Sequence, residues 1–336
     1  MDQPTKFVPS AVPISPTGLQ NLVVITVISN PVRYGSRYKL YSKFAEVMKQ
    51  AGATLITVEQ AFGERPFIVT DKSNPFHLQV RSLDELWHKE NMIQLGINYA
   101  CQLLPDTKYF AWIDADVLPM RPVREWLEET VHSLQHYHFV QMFRTAIDLD
   151  PGHNMIGTPA HSFMSKYLTS NYKEPDRAGF WKNAYYDHHG HPGYAWAATR
   201  EGLEGVGGLI EFAILGAADR HMAYGLIGCM DKTFEALNAD YVRALMQWQE
   251  RAERWVKRDV GFVDGSIFHF WHGKKKDRGY TDRWKILRDN DYDPTQDLKR
   301  DSQGLLVLET WSPRQIRLRD HLRSYFRSRN EDSVDV

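Results

Sequence analysis

Cysteine is scarce in this chain: its 336 residues include two, Cys101 inside an apolar run and Cys229 between Gly228 and Met230. Their spacing builds no thiolate metal site, and such sparse use fits a reducing compartment. Long hydrophobic runs are also lacking, since no segment approaches the ~20 apolar residues of a membrane span and no basic-then-apolar leader opens the sequence. A cytoplasmic protein is expected. Charge of one sign is not in excess, because 41 Lys and Arg face 42 Asp and Glu for a net charge of -1. That balance excludes a globally basic nucleic-acid binder but leaves room for a local basic face. Internal repeats and low-complexity tracts are absent too. What is present is ordinary globular composition, 43% hydrophobic and 25% charged, with an aromatic content of 12% and ten tryptophans. Such aromatics serve a core as often as they stack on sugars or bases.

Residues 1–20, with prolines at 4, 9, 13 and 16, read as an extended arm. Order is expected from "NLVVITVISNP", where Leu22 to Ile28 is the continuous apolar, β-branched run of a strand buried on both faces. Tyr38, Tyr41, Phe44, Ala45 and Met48 then recur at helical spacing up to Gly52, and "ATLITVE" supplies a second strand, completing a βαβ unit. "HLQVR" reads as another strand. "SLDELWHKENMIQLGINYACQLL" reads as an amphipathic helix with Ser82 and Glu85 forming a capping box. "YFAWID" is the fourth strand. Beyond it the spacing predicts helices over 122–135, 180–186 and 236–258, a strand pair around "FVQMFRT" and "GSIFHFWH", and a basic helix after Trp311 carrying Arg314, Arg317, Arg319, Arg323, Arg327 and Arg329.

Asp114 and Asp116 end the fourth strand. In a strand, residues two apart face one side, so both carboxylates would point into a single crevice suited to a hard divalent cation with phosphate oxygens. Open α/β sheets bind their ligands at such carboxyl ends. The competing reading makes Asp114 a turn cap and Asp116 the start of a loop.

"YFAWIDADVLP" resembles the D-x-D strand of GT-A glycosyltransferases. In matching order, "VVITVISNPVRYGSRY" resembles their first strand and sugar-nucleotide loop, "GVGGLIEFAILGAADRHMAYGL" their acceptor-side glycine motif, and "IFHFWHGKKKDRGY" their metal-binding histidine and phosphate-covering loop. The resemblance spans about residues 22–300. "LWHKENMIQLGI" with "FWHGKKKDRGYTDRWKIL" further resembles glycosyltransferases of bacteriophages and large viruses, some of which modify hydroxymethylated bases in DNA. It implies an α/β GT-A fold, with a Rossmann-like, mostly parallel sheet, flanking helices and a smaller acceptor-side region. The implied organisation is an arm at 1–20, a nucleotide-sugar-binding half at 21–140, an acceptor-binding and catalytic half at 141–300, and a basic tail at 301–336.

The implied activity is metal-dependent transfer from a UDP-sugar to a hydroxyl, with 5-hydroxymethylcytosine in phage DNA as the favoured acceptor; a polysaccharide or glycan acceptor and a non-catalytic nucleotide- or DNA-binding module are the rivals. By resemblance, Asp116 binds Mn²⁺ or Mg²⁺ with Asp114 as its helper, and His272 is the third ligand with His269 competing. A flat strand would send residues three apart to opposite faces, so only one of the two histidines is expected at the metal. Lys274, Lys275, Lys276, Arg278 and Tyr280 form a cationic loop able to close over phosphates, although such runs are usually solvated. Lys89 is a further phosphate or ribose candidate, and Asn30, Pro31, Arg33, Arg37 and Glu59 lie where a uracil-like base would be read. On the acceptor side stand Asp219 as general base with Glu211 as rival, Gly207 and Gly208 for close backbone approach, Arg220, and the aromatics Tyr194 and Trp196. His188, His189 and His191, lacking a carboxylate at metal spacing, read as a polar loop.

Overall fold

The computed structural model describes residues 18–169, 190–234, 236–279 and 282–335. Its centre is strand β1 (Leu22–Ser29), whose side chains alternate between two cores. Val23 and Ile25 enter one with helix α2 (Lys89–Leu103), while Leu22 and Val24 enter the other with Phe44 and Met48 of α1 (Gly35–Gln50) and Trp126 of α3 (Val123–Ser133). A strand covered on both faces has no solvent side, which is why its sequence does not alternate. β2 (Thr54–Phe62) and β3 (His77–Ser82) extend the sheet in parallel on one side, and β4 (Tyr109–Ile113) pairs with β1 on the other. Beyond β4 lie β9 (Ala195–Thr199), β6 (Phe139–Gln141) and β10 (Val260–Phe262), so that the seven-stranded order is β10-β6-β9-β4-β1-β2-β3. β9 alone runs antiparallel to its neighbours.

A mixed α/β fold with a mostly parallel central sheet results, and the crevice between the carboxyl ends of β1 and β4 is its switch point. The expected boundary at residue 140 runs through β6, so both halves contribute to one sheet.

A second sheet, β5-β11-β7-β8, lies over that end, with β5 (Val117–Pro119) leaving directly after Asp116. β11 (Ser266–His269) pairs antiparallel with β5 and parallel with β7 (Thr145–Asp148), and β8 (Ala160–His161) completes it ahead of α4 (Phe163–Thr169). The expected strand pair therefore starts at Thr145; Phe139–Gln141 belongs to the other sheet. Among the described residues the remaining α-helices are α5 (Arg200–Val206), α6 (Ala218–Leu226), α7 (Ala239–Trp255), α8 (Arg283–Asp289), α9 (Pro294–Asp297) and α10 (Pro313–Ser328), with a β12–β13 hairpin (Leu298–Arg300, Leu306–Leu308) before the last. The helix expected over 180–186 and most of the N-terminal arm lie outside the described residues. No helix among the described residues is long and apolar enough to cross a membrane.

The capping box at Ser82 and Glu85 does not form. Ser82 stays in β3 paired with Phe62, Glu85 is ion-paired with Arg327, and α2 begins only at Lys89. Between them, Asp84 accepts from the Leu308 backbone and His88 bridges the Gln60 side chain and the Leu306 carbonyl, so tertiary partners hold the segment extended. The true capping box is Ser312 and Gln315 at the start of α10.

Helix α2 lies on the sheet at Gly96, where an added Cβ would stand 2.8 Å from Ile25 Cγ2 and 3.1 Å from Val58 Cγ2. Both are β-branched methyls of buried strands with little freedom to yield. Gly96→Ala is expected to destabilise the protein by about 1–2 kcal/mol despite alanine's better helix propensity, read as a lower urea midpoint at unchanged m.

Candidate functional site

The carboxyl ends of β1 and β4 open into a cleft of about 880 Å³. Asp114 and Asp116 line it, but they separate. β4 ends at Ile113 and the chain turns, with Val117 N donating to the Asp114 carbonyl at 3.2 Å, so strand alternation no longer governs the pair. Asp114 turns to Lys89 at the head of α2, 2.6 Å from its Nζ. Burial raises the Asp114 carboxyl above its usual range although Lys89 pulls the other way, and the Lys89 ammonium is held charged by Asp114 against burial. Lys89 is therefore engaged by the first aspartate of the motif.

Asp116 turns to the histidines. Its Oδ2 is 2.9 Å from His272 Nε2, which is in turn 3.2 Å from His269 Nε2. One ligand atom from each of Asp116, His269 and His272 falls within 4.8 Å of the others. Both histidines reach the point because β11 ends at His269 and the chain bends before His272, so the opposite-face expectation fails. His269 Nδ1 faces Asp148 Oδ1 at 2.7 Å, so this ring edge is held by the carboxylate and the Nε2 edge is turned to Asp116 and His272. Burial and the nearby Arg278 push His272 down to about 4, so it is neutral at pH 7. Asp116 stays ionised well below the usual range, its burial outweighed by His272, and its buried Oδ1 has no hydrogen-bond partner. A buried carboxylate oxygen without a partner, beside two imidazoles that can release a ring proton to become ligands, suits a cation.

Cations of the chain surround the same cleft. Arg37, Lys275 and Arg278 line it, as do Arg283 and Arg329, while Lys274 and Lys276 on either side of Lys275 do not. The turn Lys275–Arg278 aims one lysine inward, its Nζ 2.5 Å from Asp148 Oδ2. Tyr280 lies outside the described residues. Of the residues expected at the base, Asn30 lines the cleft and braces its own loop, bonding the Tyr34 carbonyl and amide, whereas Arg33 stays outside. Glu59 is a structural group: its carboxylate accepts from the backbone of Ile68, Val69 and Thr70, fixing the loop after β2.

On the opposite wall Asp219 stands in the first turn of α6 and Arg220 beside it, both lining the cleft. Ala217, the residue before that helix, has φ 74, and Tyr194 has φ 76 with its carbonyl accepting from Asp114 N at 2.9 Å. Two non-glycine residues in the left-handed region mark local strain held by surrounding structure. Tyr194 stacks on His191 with centroids 3.8 Å apart, so His191 joins the cleft rather than a polar loop; His188 and His189 lie outside the described residues. Glu211 faces away, bonding Asn91 at 2.7 Å and pairing with Arg300. Trp196 is buried in the core, Gly207 is the C-cap of α5, and a Cβ on Gly208 would strike Gln94. These residues build the framework and do not reach the cleft.

Glu90 and Asp148, which sequence reasoning passed over, line the cleft, and so do Arg329 and Glu331, which it left in the basic tail. Glu90 adjoins Lys89 on α2, and burial, opposed by Lys89 and reinforced by Asp219, pushes its carboxyl up to about 8. Because this folded value exceeds the ordinary glutamate value of 4.5, the stability it contributes is complete below about pH 4.5 and is lost as pH rises toward 8. Glu90→Gln should therefore be more stable than the parent at pH 8.5, by on the order of 5 kcal/mol, and equal to it at pH 4. Urea unfolding at the two pH values checks this, and a pH-independent difference would contradict it.

No family model and no curated protein matches the chain. Among solved structures it is similar to a Drosophila β1,4-galactosyltransferase 7 in complex with manganese, UDP-Gal and xylobiose, at 10% identity and a TM-score of 0.39 over 88% of this chain and 98% of that one. A second structure, of that enzyme's catalytic domain with xylobiose, gives 9% identity and a TM-score of 0.36 over the same shares. A glycosyltransferase involved in glycosylation of the major capsid of PBCV-1 gives 10% and 0.29 over 90% of this chain and 98% of that one.

Proposed function

We propose that the chain is a metal-dependent glycosyltransferase that moves a sugar from a UDP-sugar to a hydroxyl acceptor. The observation that carries this reading is the meeting of Asp116, His269 and His272 in a cleft lined by arginines and Lys275. One carboxylate with two imidazoles suits Mn²⁺ better than Mg²⁺, which takes oxygen ligands. Bound there, the ion supplies positive charge to a departing diphosphate.

The chain's own residues do the rest. Arg37, Lys275 and Arg278 offer guanidinium and ammonium donors to phosphate oxygens. Lys89 holds Asp114 in place on the cleft lining, where the pair would meet a ribose hydroxyl of the donor. Asp219 accepts the acceptor's hydroxyl proton as the oxygen attacks the anomeric carbon and the sugar–phosphate bond breaks, with UDP leaving. A protonated Glu90 at neutral pH reduces carboxylate repulsion around Asp219.

For the acceptor we propose a 5-hydroxymethylpyrimidine, 5-hydroxymethylcytosine in phage DNA, which rests on the viral-type motifs. The second reading, a glycan or polysaccharide, is favoured by the state of the basic tail. Arg314 pairs with Asp297, Arg319 with Asp320, Arg327 with Glu85 and Arg329 with Glu331, so these charges already have carboxylate partners. Incubation of the protein with Mn²⁺, labelled UDP-sugars and DNA carrying 5-hydroxymethylcytosine, unmodified DNA, or oligosaccharides decides between them. Label in the hydroxymethylated DNA alone supports the first, and label in oligosaccharide alone the second. UDP binding with no transfer or donor hydrolysis would show a nucleotide-binding module instead.

A further inference from the structure

The cation reading uses Asp116, His269 and His272 and leaves Asp148 in the same cleft without a role. Parallel pairing of β7 with β11 sets Asp148 directly beside His269. Its carboxylate has two occupied oxygens: Oδ1 accepts from His269 Nδ1 at 2.7 Å and from the Tyr194 hydroxyl at 3.4 Å, and Oδ2 accepts from Lys275 Nζ at 2.5 Å. The Asp148 side chain is 22% exposed and the Lys275 side chain 51% exposed. A lysine this open gains little from a surface ion pair, so the fixed geometry points to the carboxylate's position rather than to stability.

We infer that Asp148 is a positioning residue for both halves of the donor site. Through Oδ1 it holds the proton of His269 on Nδ1 and presents Nε2 toward Asp116 and His272. Through Oδ2 it draws Lys275, out of a run of three lysines, over the cleft while Lys274 and Lys276 stay outside. A carboxylate behind a ligating histidine fixes its tautomer and ring orientation and raises its basicity, and loss of such a partner typically weakens metal binding by 10–100-fold. Here the same carboxylate also selects which lysine meets the phosphates. The inference rests on the metal-site reading above and assigns that site a residue beyond its ligands.

Mn²⁺ titration followed by the electron paramagnetic resonance of the free ion tests it in the full chain, without donor or turnover. The parent should bind Mn²⁺, Asp148→Ala should bind it at least about tenfold more weakly, and Lys275→Met should bind it within about twofold of the parent while raising the KM for UDP-sugar. Asp148→Asn keeps the volume and one acceptor oxygen, so it should lose less Mn²⁺ affinity than the alanine variant while matching Lys275→Met in donor KM. It also guards against a folding defect in Asp148→Ala. In metal-free protein, nitrogen-15 shifts should place the His269 proton on Nδ1 in the parent and spread it over both nitrogens in Asp148→Ala, a change that a merely structural carboxylate would not produce. If the parent binds Mn²⁺ and folded Asp148→Ala or Asp148→Asn binds it equally well with the His269 tautomer unchanged, the inference falls and the metal site stands. If the parent itself does not bind Mn²⁺, both fall.

Discussion

Asp116→Ala is expected to remove Mn²⁺ binding and to lower sugar transfer, and the slower hydrolysis of donor, by about 10²–10³-fold. The size follows from what the side chain does. It is the one carboxylate among the three converging groups, and its Oδ1 is buried with no other partner. Without it, two imidazoles remain, which hold a divalent ion far less well than a set that includes an anion. The fold should survive, because Asp116 lies in a turn after β4 and its backbone carbonyl, which accepts from Phe270 N at 2.8 Å, is kept in the variant. Circular dichroism and unfolding midpoint should thus match the parent while binding and turnover collapse. Asp114→Ala gives the contrast: it frees Lys89, so donor KM should rise with Mn²⁺ affinity less affected. Equal Mn²⁺ affinity in Asp116→Ala and the parent would remove the metal assignment.

The contrast between the two aspartates shows how far the sequence reaches. β1, β2 and β4 are legible because strands covered on both faces need unbroken β-branched runs, and those runs sit within a βαβ spacing. That Asp114 and Asp116 end such a strand is legible too. Their division is not, because alternation holds only while the strand lasts, and it stops at Ile113. The same limit applies to His269 and His272, where one residue of β11 and one residue past its bend meet. Ser82 and Glu85 misled for a related reason. A local capping pattern competes with tertiary partners, and Phe62, Leu308 and Arg327 hold that segment instead. Asp148 carried no local signal, since its meaning comes from the register of β7 against β11, a pairing across 121 residues. Its sequence surroundings, "RTAIDLDPG", read as strand and turn.

Replacement of Glu331, a residue the sequence placed in a basic tail, is expected to have the largest effect on stability. The segment after α10 returns to the cleft. Asp332 accepts from the amides of Gly35 and Ser36 at 2.8 Å, Trp271 Nε1 donates to the Ser333 carbonyl at 2.6 Å, and a Cβ on Gly273 would strike the Asn330 carbonyl. Glu331 is the buried centre of this closure. It accepts from Arg37 through Nε and Nη2 and from Arg329 Nε at 2.5 Å, and its Oε2 lies 3.9 Å from His272 Nδ1. The Arg329 guanidinium also lies 4.9 Å over the Trp87 ring. Glu331→Ala leaves that guanidinium, 4% exposed, facing Arg37 without the carboxylate between them. Breaking a buried pair by removing one partner costs about 3–5 kcal/mol, so the variant should unfold at markedly lower denaturant. The sign with pH is fixed by the direction of the shift: burial would raise the Glu331 carboxyl, but Arg37 and Arg329 hold it well below the usual range. Its contribution is therefore present above about pH 4.5 and is lost as pH falls below that value. Denaturant unfolding of the parent and Glu331→Gln should differ by most near pH 7, and the gap should narrow steadily as pH falls below about 4.5. A gap that stays constant across that range would show that packing, rather than the ion pairs, holds the C-terminal segment against the cleft.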